Sequence, residues 1–362
     1  MSSHPSEPAD PPGEAAARAE PIPAHSPGPF PSAPAPAQPV PGLEPPPPAQ
    51  QAREHPGGDL LSAAGPDAAA EGPPPPPSVV RELGSPWDGV LGTLAWVLIC
   101  LAAWALLTVV AGTIVVAAAA AAGLTTLETD KVPPGILIAA TVAGNLVFLA
   151  VPLAFAAITA PPRLWHFGLR RTRFWPTLGW AVLALFGWFV FSTIYQAVVD
   201  PAGKQSTADD LGVNRSRTLL VVGGFVVIVL APIVEEFFFR GFIYRTLRNG
   251  LSRKVGLGAG VALAAVLDGL LFGLVHGTNT PIAILPVLVV LGGAFCLVYE
   301  RTGSLFAVIA LHATVNTLGY LGAAKNSVPV ALGFGGAMII ACIVIPRLIG
   351  RGPPRAEAPA TA

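Results

Sequence analysis

Charge is what this sequence has least of: only 12% of its 362 residues are Asp, Glu, Lys or Arg, and 21 acids cancel 21 bases. So little charge cannot clothe an ordinary soluble domain, and neutrality with bases gathered between apolar runs argues against a nucleic-acid partner. Cysteine is nearly missing as well. Cys100, Cys296 and Cys342 each lie inside an apolar run without paired spacing, so neither a disulfide framework nor a cysteine metal centre is indicated. What abounds is apolar side chain, 52% of the chain, with a mean hydropathy of +0.62. The composition is that of a membrane protein.

The first 80 residues differ from the rest, holding 24 of the 40 prolines and Phe30 as their one aromatic. Such a segment cannot bury enough apolar area to offset chain entropy, so residues 1–80 are expected to be a disordered Pro/Ala-rich tail. A partner that reads polyproline is the functional alternative to a plain solvated tail. Residues 353–362 are expected to be a second, short disordered tail, leaving 81–352 as the transmembrane domain.

Apolar runs fall at about 90–123, 136–160, 178–199, 219–242, 255–275, 282–299, 305–321 and 328–345. Most reach the roughly 17–25 residues a spanning helix needs, which predicts an all-α bundle of about eight transmembrane helices. The first run is long enough to tilt or break. With the N-terminus inside, the inner flanks carry 13 Lys and Arg, from Arg81 to Arg355, against five on the outer loops. That asymmetry places both termini in the cytoplasm of a cell-membrane protein. Gly256-x-x-x-Gly260 and the Gly292-Gly293 pair are candidate close-packing positions between helices.

Against this apolar background the ionisable residues stand out. Glu235, Glu236 and Arg240 lie within six residues of one span, and each such group costs about 2.5 to 3.5 kcal/mol at bilayer depth. Glu236 and Arg240 are i, i+4 neighbours that can pair, while Glu235 points about 100° away and stays free. Asp268 and His276 sit on the next span, and His312 and Asn316 share one face of a later one. Groups this costly face one another or a water-filled cavity. A carboxylate beside a histidine can deprotonate a water, and a second histidine with an amide can stabilise an oxyanion. Glu235, His276 and His312 are equally a three-ligand set for catalytic zinc. Both routes describe a hydrolase.

These residues resemble the type II CAAX prenyl endopeptidases and their bacterial relatives, the CPBP or Abi family of intramembrane proteases. Its E-E-x-x-x-R is matched by Glu235, Glu236 and Arg240, its F-x-x-x-H by Phe272 and His276, and its H-x-x-x-N by His312 and Asn316. The order along successive helices matches too, over about residues 178–321. The resemblance implies peptide-bond cleavage at membrane depth. In eukaryotic members the substrate is the C-terminal tripeptide of a prenylated protein, and for bacterial members bacteriocin processing or immunity has been proposed. It implies that Glu235 and His276 activate the water, that His312 and Asn316 support the oxyanion, and that Glu236 and Arg240 are structural partners, with Phe272 in support. Its partners are membrane lipids and a membrane-associated or prenylated-like peptide, with no nucleic acid.

Asp268 fits the family pattern least and is expected to support the site or pair with Arg240. Glu235 lies nearer one end of its span and His276 nearer the opposite end of the next. Extension of the Glu-bearing helix through Asn249 closes that mismatch to about 9 Å, within reach of tilt. As to zinc, a metal-free route is preferred, because an amide is a poor zinc ligand and no carboxylate besides Asp268 remains as base once Glu235 is spent on a metal. A proton-coupled transporter and a silent scaffold or immunity protein are the alternatives. No internal halves support the first, and retention of every polar position weighs against the second.

Overall fold

The computed structural model describes residues 84–126 and 132–349. Both expected tails, and the flanking charges Arg81, Glu128, Asp130, Lys131, Arg351 and Arg355, lie outside the described residues. Eight helices among the described residues are long and apolar enough to cross a membrane. They are α1 (Gly89–Ala121), α2 (Pro134–Thr159), α3 (Phe174–Val199), α4 (Arg217–Val255), α5 (Leu257–Val275), α6 (Leu285–Thr302), α7 (Leu305–Ala323) and α8 (Val328–Ile349). The chain is an all-α, multi-pass membrane protein.

Helix boundaries follow from local chemistry. Ser216 opens α4 by accepting the Leu219 backbone N–H on its hydroxyl at 3.2 Å, which satisfies one of the four orphan donors of the first turn. Gly256 closes it at φ +80°, a conformation that side chains with a Cβ rarely adopt. Gly256 thus turns the corner between α4 and α5, and Gly260 lets the two helices approach closely as expected: a Cβ there would lie 2.6 Å from Ser252 Cα. The first apolar run does not break: α1 is 33 continuous residues, about 50 Å at 1.5 Å per residue, and so longer than the roughly 30 Å hydrocarbon core it spans.

Helix α4 is longer still, at 39 residues. Its basic end, Arg245–Val255, runs beyond the apolar part and packs on α1 and α5. The expected extension past Asn249 is present. Arg245 ties it to the α2–α3 connection by donating to the carbonyl of Trp165 at 3.3 Å and to that of His166. Burial first, then the nearby Arg245 and Arg163 charges, hold the His166 imidazole below its ordinary range. A neutral ring suits its role, since Nδ1 accepts the Arg163 N–H at 3.1 Å.

The centre of the bundle is α4 to α7. Of its apolar stretch α7 buries 56%, whereas α3 buries 6% and faces outward. Between helices in lipid the hydrophobic effect gives little drive, so close contact and internal hydrogen bonds must hold the centre. The α5–α6 pair is packed backbone to backbone: a Cβ built on Gly292 would lie 2.9 Å from Gly269 Cα and 3.0 Å from Phe272 Cβ. Phe238, Phe239, Phe242, Phe272 and Phe295 fill the space around this seam and are buried.

Gly292→Ala is expected to lower stability by about 1 to 3 kcal/mol through overpacking of this seam. Gly336→Ala, where a Cβ would meet nothing within 4 Å, should be neutral or mildly stabilising. Thermal unfolding of both purified variants in detergent checks this, and equal midpoints would contradict the close approach.

Candidate active site

The two glutamates sit on an eight-residue α-helical segment of α4, Ala231–Phe238, flanked by π-helical turns at Val226–Leu230 and Phe239–Tyr244. Such turns are rare and concentrate at functional sites. Pro232 accounts for the first. Its ring collides with the carbonyl four residues back in an α-helix and it has no N–H to donate, and the wider π turn relieves the collision. Val227 is five residues before Pro232, so its carbonyl loses the i+5 partner a π-helix provides. Asn316 on α7 fills the gap, donating Nδ2–H to the Val227 carbonyl at 2.8 Å.

Glu236, Arg240 and Asp268 form a charge cluster with no side-chain exposure. Arg240 Nη1 donates to Glu236 Oε1 at 3.0 Å, Nη2 donates to the Gly292 carbonyl at 2.8 Å, and Nε lies 3.4 Å from Asp268 Oδ2. Gly292 can present that carbonyl because it has no side chain. The Arg240 guanidinium carbon lies 4.6, 5.1 and 5.6 Å from the ring centroids of Phe272, Phe295 and Phe239, distances at which the ring faces attract a cation. The Cys296 thiol donates to Asp268 Oδ2 at 3.0 Å. Several kcal/mol of desolvation per ion must be offset here, and these bonds and ring contacts offset part of it, while Arg240 Nε, Glu236 Oε2 and Asp268 Oδ1 are buried without a hydrogen-bond partner.

This cluster fixes His312 and leaves Glu235 free. His312 Nδ1 lies 2.7 Å from Glu236 Oε1; a carboxylate only accepts, so Nδ1 carries the proton and Nε2 points away. His276 Nδ1 lies 2.7 Å from the Phe272 carbonyl, and the same reasoning directs its Nε2 outward. Both Nε2 atoms converge on Glu235 Oε2, at 3.8 Å for His276 and 3.9 Å for His312. These separations are too long for direct hydrogen bonds and fit one small oxygen between the groups. Glu235 Oε2 is buried without a hydrogen-bond partner. The Glu235 and His276 side chains keep 15% and 19% exposure, so the site is reachable.

Among the described residues no group of three or more His, Cys, Asp or Glu side chains is arranged to hold a metal ion. Tetrahedral zinc about 2.1 Å from each donor brings donors within about 3.4 Å of one another. The two separations at Glu235 are wider than that.

Of the four expected catalytic residues, Glu235, His276 and His312 come together, and the mismatch in depth between Glu235 and His276 is closed. Asn316 lies on the same inward face of α7, but its amide is engaged by the Val227 carbonyl. The Glu236–Arg240 pair forms as expected, Asp268 is a partner of Arg240, and Phe272 supports both the guanidinium and His276. Sequence reasoning missed the Glu236–His312 bond, the Cys296 thiol and the Gly292 carbonyl. Pro232 inside an apolar span was the signal for the Val227–Asn316 bond. Cys296 lies four residues after Gly292 and so on one face of α6, but that spacing carries no signal of what the face meets.

Arg240→Ala is expected to cost about 3 to 5 kcal/mol, because it strands two buried carboxylates. Asp268→Asn, which leaves the Arg240–Glu236 pair in place, should cost less, about 1 to 3 kcal/mol. Equal losses of folded protein on gel filtration would contradict this hierarchy. For Asn316, an Asn316→Ala change should destabilise by about 1 to 3 kcal/mol alone and by much less in a Pro232→Ala background, where a new N–H can reach the carbonyl. Unfolding midpoints of the four proteins in this cycle give the coupling, and strict additivity would remove the assignment.

Residues 217–318 match the family model described as type II CAAX prenyl endopeptidase Rce1-like. The match begins with α4, ends within α7 and contains every charged, histidine and amide residue of the site. No curated protein and no solved structure matches the chain. The charge cluster and the carboxylate between two imidazoles thus fall within the stretch, residues 217–318, that matches the Rce1-like type II CAAX prenyl endopeptidase family model.

Proposed function

We propose that the protein hydrolyses a peptide bond of a membrane-associated or lipidated protein, using a water held between Glu235 and the two histidines. One observation carries this reading: a buried, unbonded carboxylate oxygen nearly equidistant from two outward-facing imidazole nitrogens. Glu235 takes a proton from the water as its oxygen adds to the scissile carbonyl, and returns that proton to the leaving amine as the tetrahedral intermediate collapses. His312, held through Nδ1 by Glu236, presents Nε2 to the site and, when doubly protonated, donates from it to the oxyanion. The second N–H of Asn316, the one Val227 does not use, is the further donor available.

The route is metal-free in this reading. The Nδ1 partners do not separate the two mechanisms, since metal-bound imidazoles are held by carboxylates and carbonyls in the same way. The wide spacing at Glu235 supports a water. A proton-relay transporter is disfavoured because Glu236 and Asp268 are both committed to Arg240, which leaves one free acid. The described bases support cytoplasmic termini in a cell membrane: Arg163, Arg170, Arg171, Arg173, Arg245, Arg248, Arg253, Lys254, Arg301 and Arg347 flank one set of helix ends, against Lys204, Arg215, Arg217 and Lys325 at the other.

The test is incubation of the purified protein in detergent with a prenylated C-terminal peptide and a library of membrane-tethered peptides. Cleavage should fall by about 10²- to 10⁴-fold in Glu235→Gln while its unfolding midpoint is unchanged. It should also persist after exhaustive chelation. Loss on chelation with recovery on adding zinc would replace the water with a metal, and undiminished cleavage by Glu235→Gln would remove Glu235 from the chemistry.

A further inference from the structure

A cavity lies away from the glutamates and histidines. About 790 Å³ of space opens between α3, α7 and α8, within the roughly 300 to 1,000 Å³ usual for ligand sites. None of Glu235, His276, His312 or Asn316 lines it. Its walls are apolar, built from Phe174, Leu178, Leu185, Phe306, Ile339 and Ile343, and the small side chains of Ala181, Ala307 and Ala310 make the room. From Phe174 to Leu185 the slot follows α3 for about 16 Å at 1.5 Å per residue, into the depth of the bundle. It lies along α3, the helix with the least burial and hence the most contact with lipid.

One end of the slot is cationic. Arg171 and Arg173 precede α3, and Arg347 lies in the last turn of α8, so helices of opposite direction bring three guanidinium groups to the same rim. No acidic residue lines the cavity. The neighbouring arginines are already committed: Arg170 Nε donates to the Gly303 carbonyl at 2.6 Å, and Arg301 stacks 4.8 Å from the Trp180 ring. Arg171 and Arg173 make no ion pair or side-chain hydrogen bond among the described residues, and Arg347 reaches only the Ile343 carbonyl of its own helix. A long apolar slot under a rim of unpaired cations is complementary to one molecule with both features.

We infer that this slot is a binding site for an anionic phospholipid of the surrounding bilayer, with an acyl chain between α3, α7 and α8 and the phosphate on Arg171, Arg173 and Arg347. Basic pockets between transmembrane helices take anionic headgroups in this way. A zwitterionic headgroup carries a cation that the rim repels, so net charge sets the selectivity. The site is separate from the proposed hydrolysis and its test reads lipid, not cleavage.

Native mass spectrometry of the purified full chain, exchanged into detergent with phosphatidylglycerol or phosphatidylcholine of equal chain length, tests this. The native protein should retain one phosphatidylglycerol in preference to phosphatidylcholine. Retention should drop about tenfold or more in the Arg171→Gln, Arg173→Gln, Arg347→Gln variant, since each base near an anionic headgroup contributes severalfold. Ala181→Phe, which fills the slot and keeps all three arginines, should also lose the lipid. Arg253→Gln with Lys254→Gln, bases outside the slot, should retain it. Inorganic phosphate at millimolar concentration should not displace the lipid, because it lacks the chain. Equal retention by the triple variant, survival of binding in Ala181→Phe, displacement by phosphate alone, or preference for a lipidated peptide over phosphatidylglycerol would each overturn the assignment.

Discussion

Arg240 holds the structure's central constraint. A guanidinium with no exposed surface needs partners inside the bundle, and here they come from three helices: Glu236 on its own α4, Asp268 on α5 and the Gly292 carbonyl on α6. Through Glu236 the cluster reaches His312 on α7. Four helices that have little hydrophobic reason to associate inside lipid are thereby tied at one point, and the aromatic rings around that point exclude alternatives in which the charge is half solvated. Because Glu236 is spent on this cluster, its neighbour Glu235 is the carboxylate left facing a reachable space.

The backbone of α4 contributes the second half of the arrangement. Pro232 cannot complete the helical ladder, the chain widens into a π turn, and the orphaned Val227 carbonyl is taken by Asn316. One bond thus ties α7 to α4 five residues before Pro232, and the Glu236–His312 bond ties the same two helices four residues after it. Glu235 lies on the short segment between these ties. Its carboxylate is positioned by its supports on either side, which is how a site inside a bundle obtains precision without loops.

Much of this was legible in the residues. Eight apolar runs gave eight helices because lipid leaves the backbone few other ways to satisfy its polar groups. The cost of buried charge pointed to Glu235, Glu236, Arg240, His276 and His312 as one site, and the i, i+4 spacing identified the Glu236–Arg240 pair. Contacts between helices distant in sequence were not legible. Nothing in the spacing of Cys296 or Gly292 says that α6 will lie against α5 closely enough for a thiol and a backbone carbonyl to meet Asp268 and Arg240. Of the Gly256 and Gly260 pair, Gly260 packs α5 on Ser252 of α4 as the spacing suggests, while Gly256 turns the corner between them, because a positive φ cannot be seen in the letters. Asn316 was read for its amide chemistry, while its partner was set by a proline on another helix.

In the proposed mechanism Glu235 acts on a water and not on the peptide itself. Single-turnover cleavage in H₂¹⁸O, followed by mass analysis of both product and protein, tests that claim directly. General-base hydrolysis predicts one ¹⁸O atom in the new C-terminal carboxylate and none in the Glu235 side chain. Label in Glu235, left there by hydrolysis of an acyl-enzyme anhydride, would contradict it.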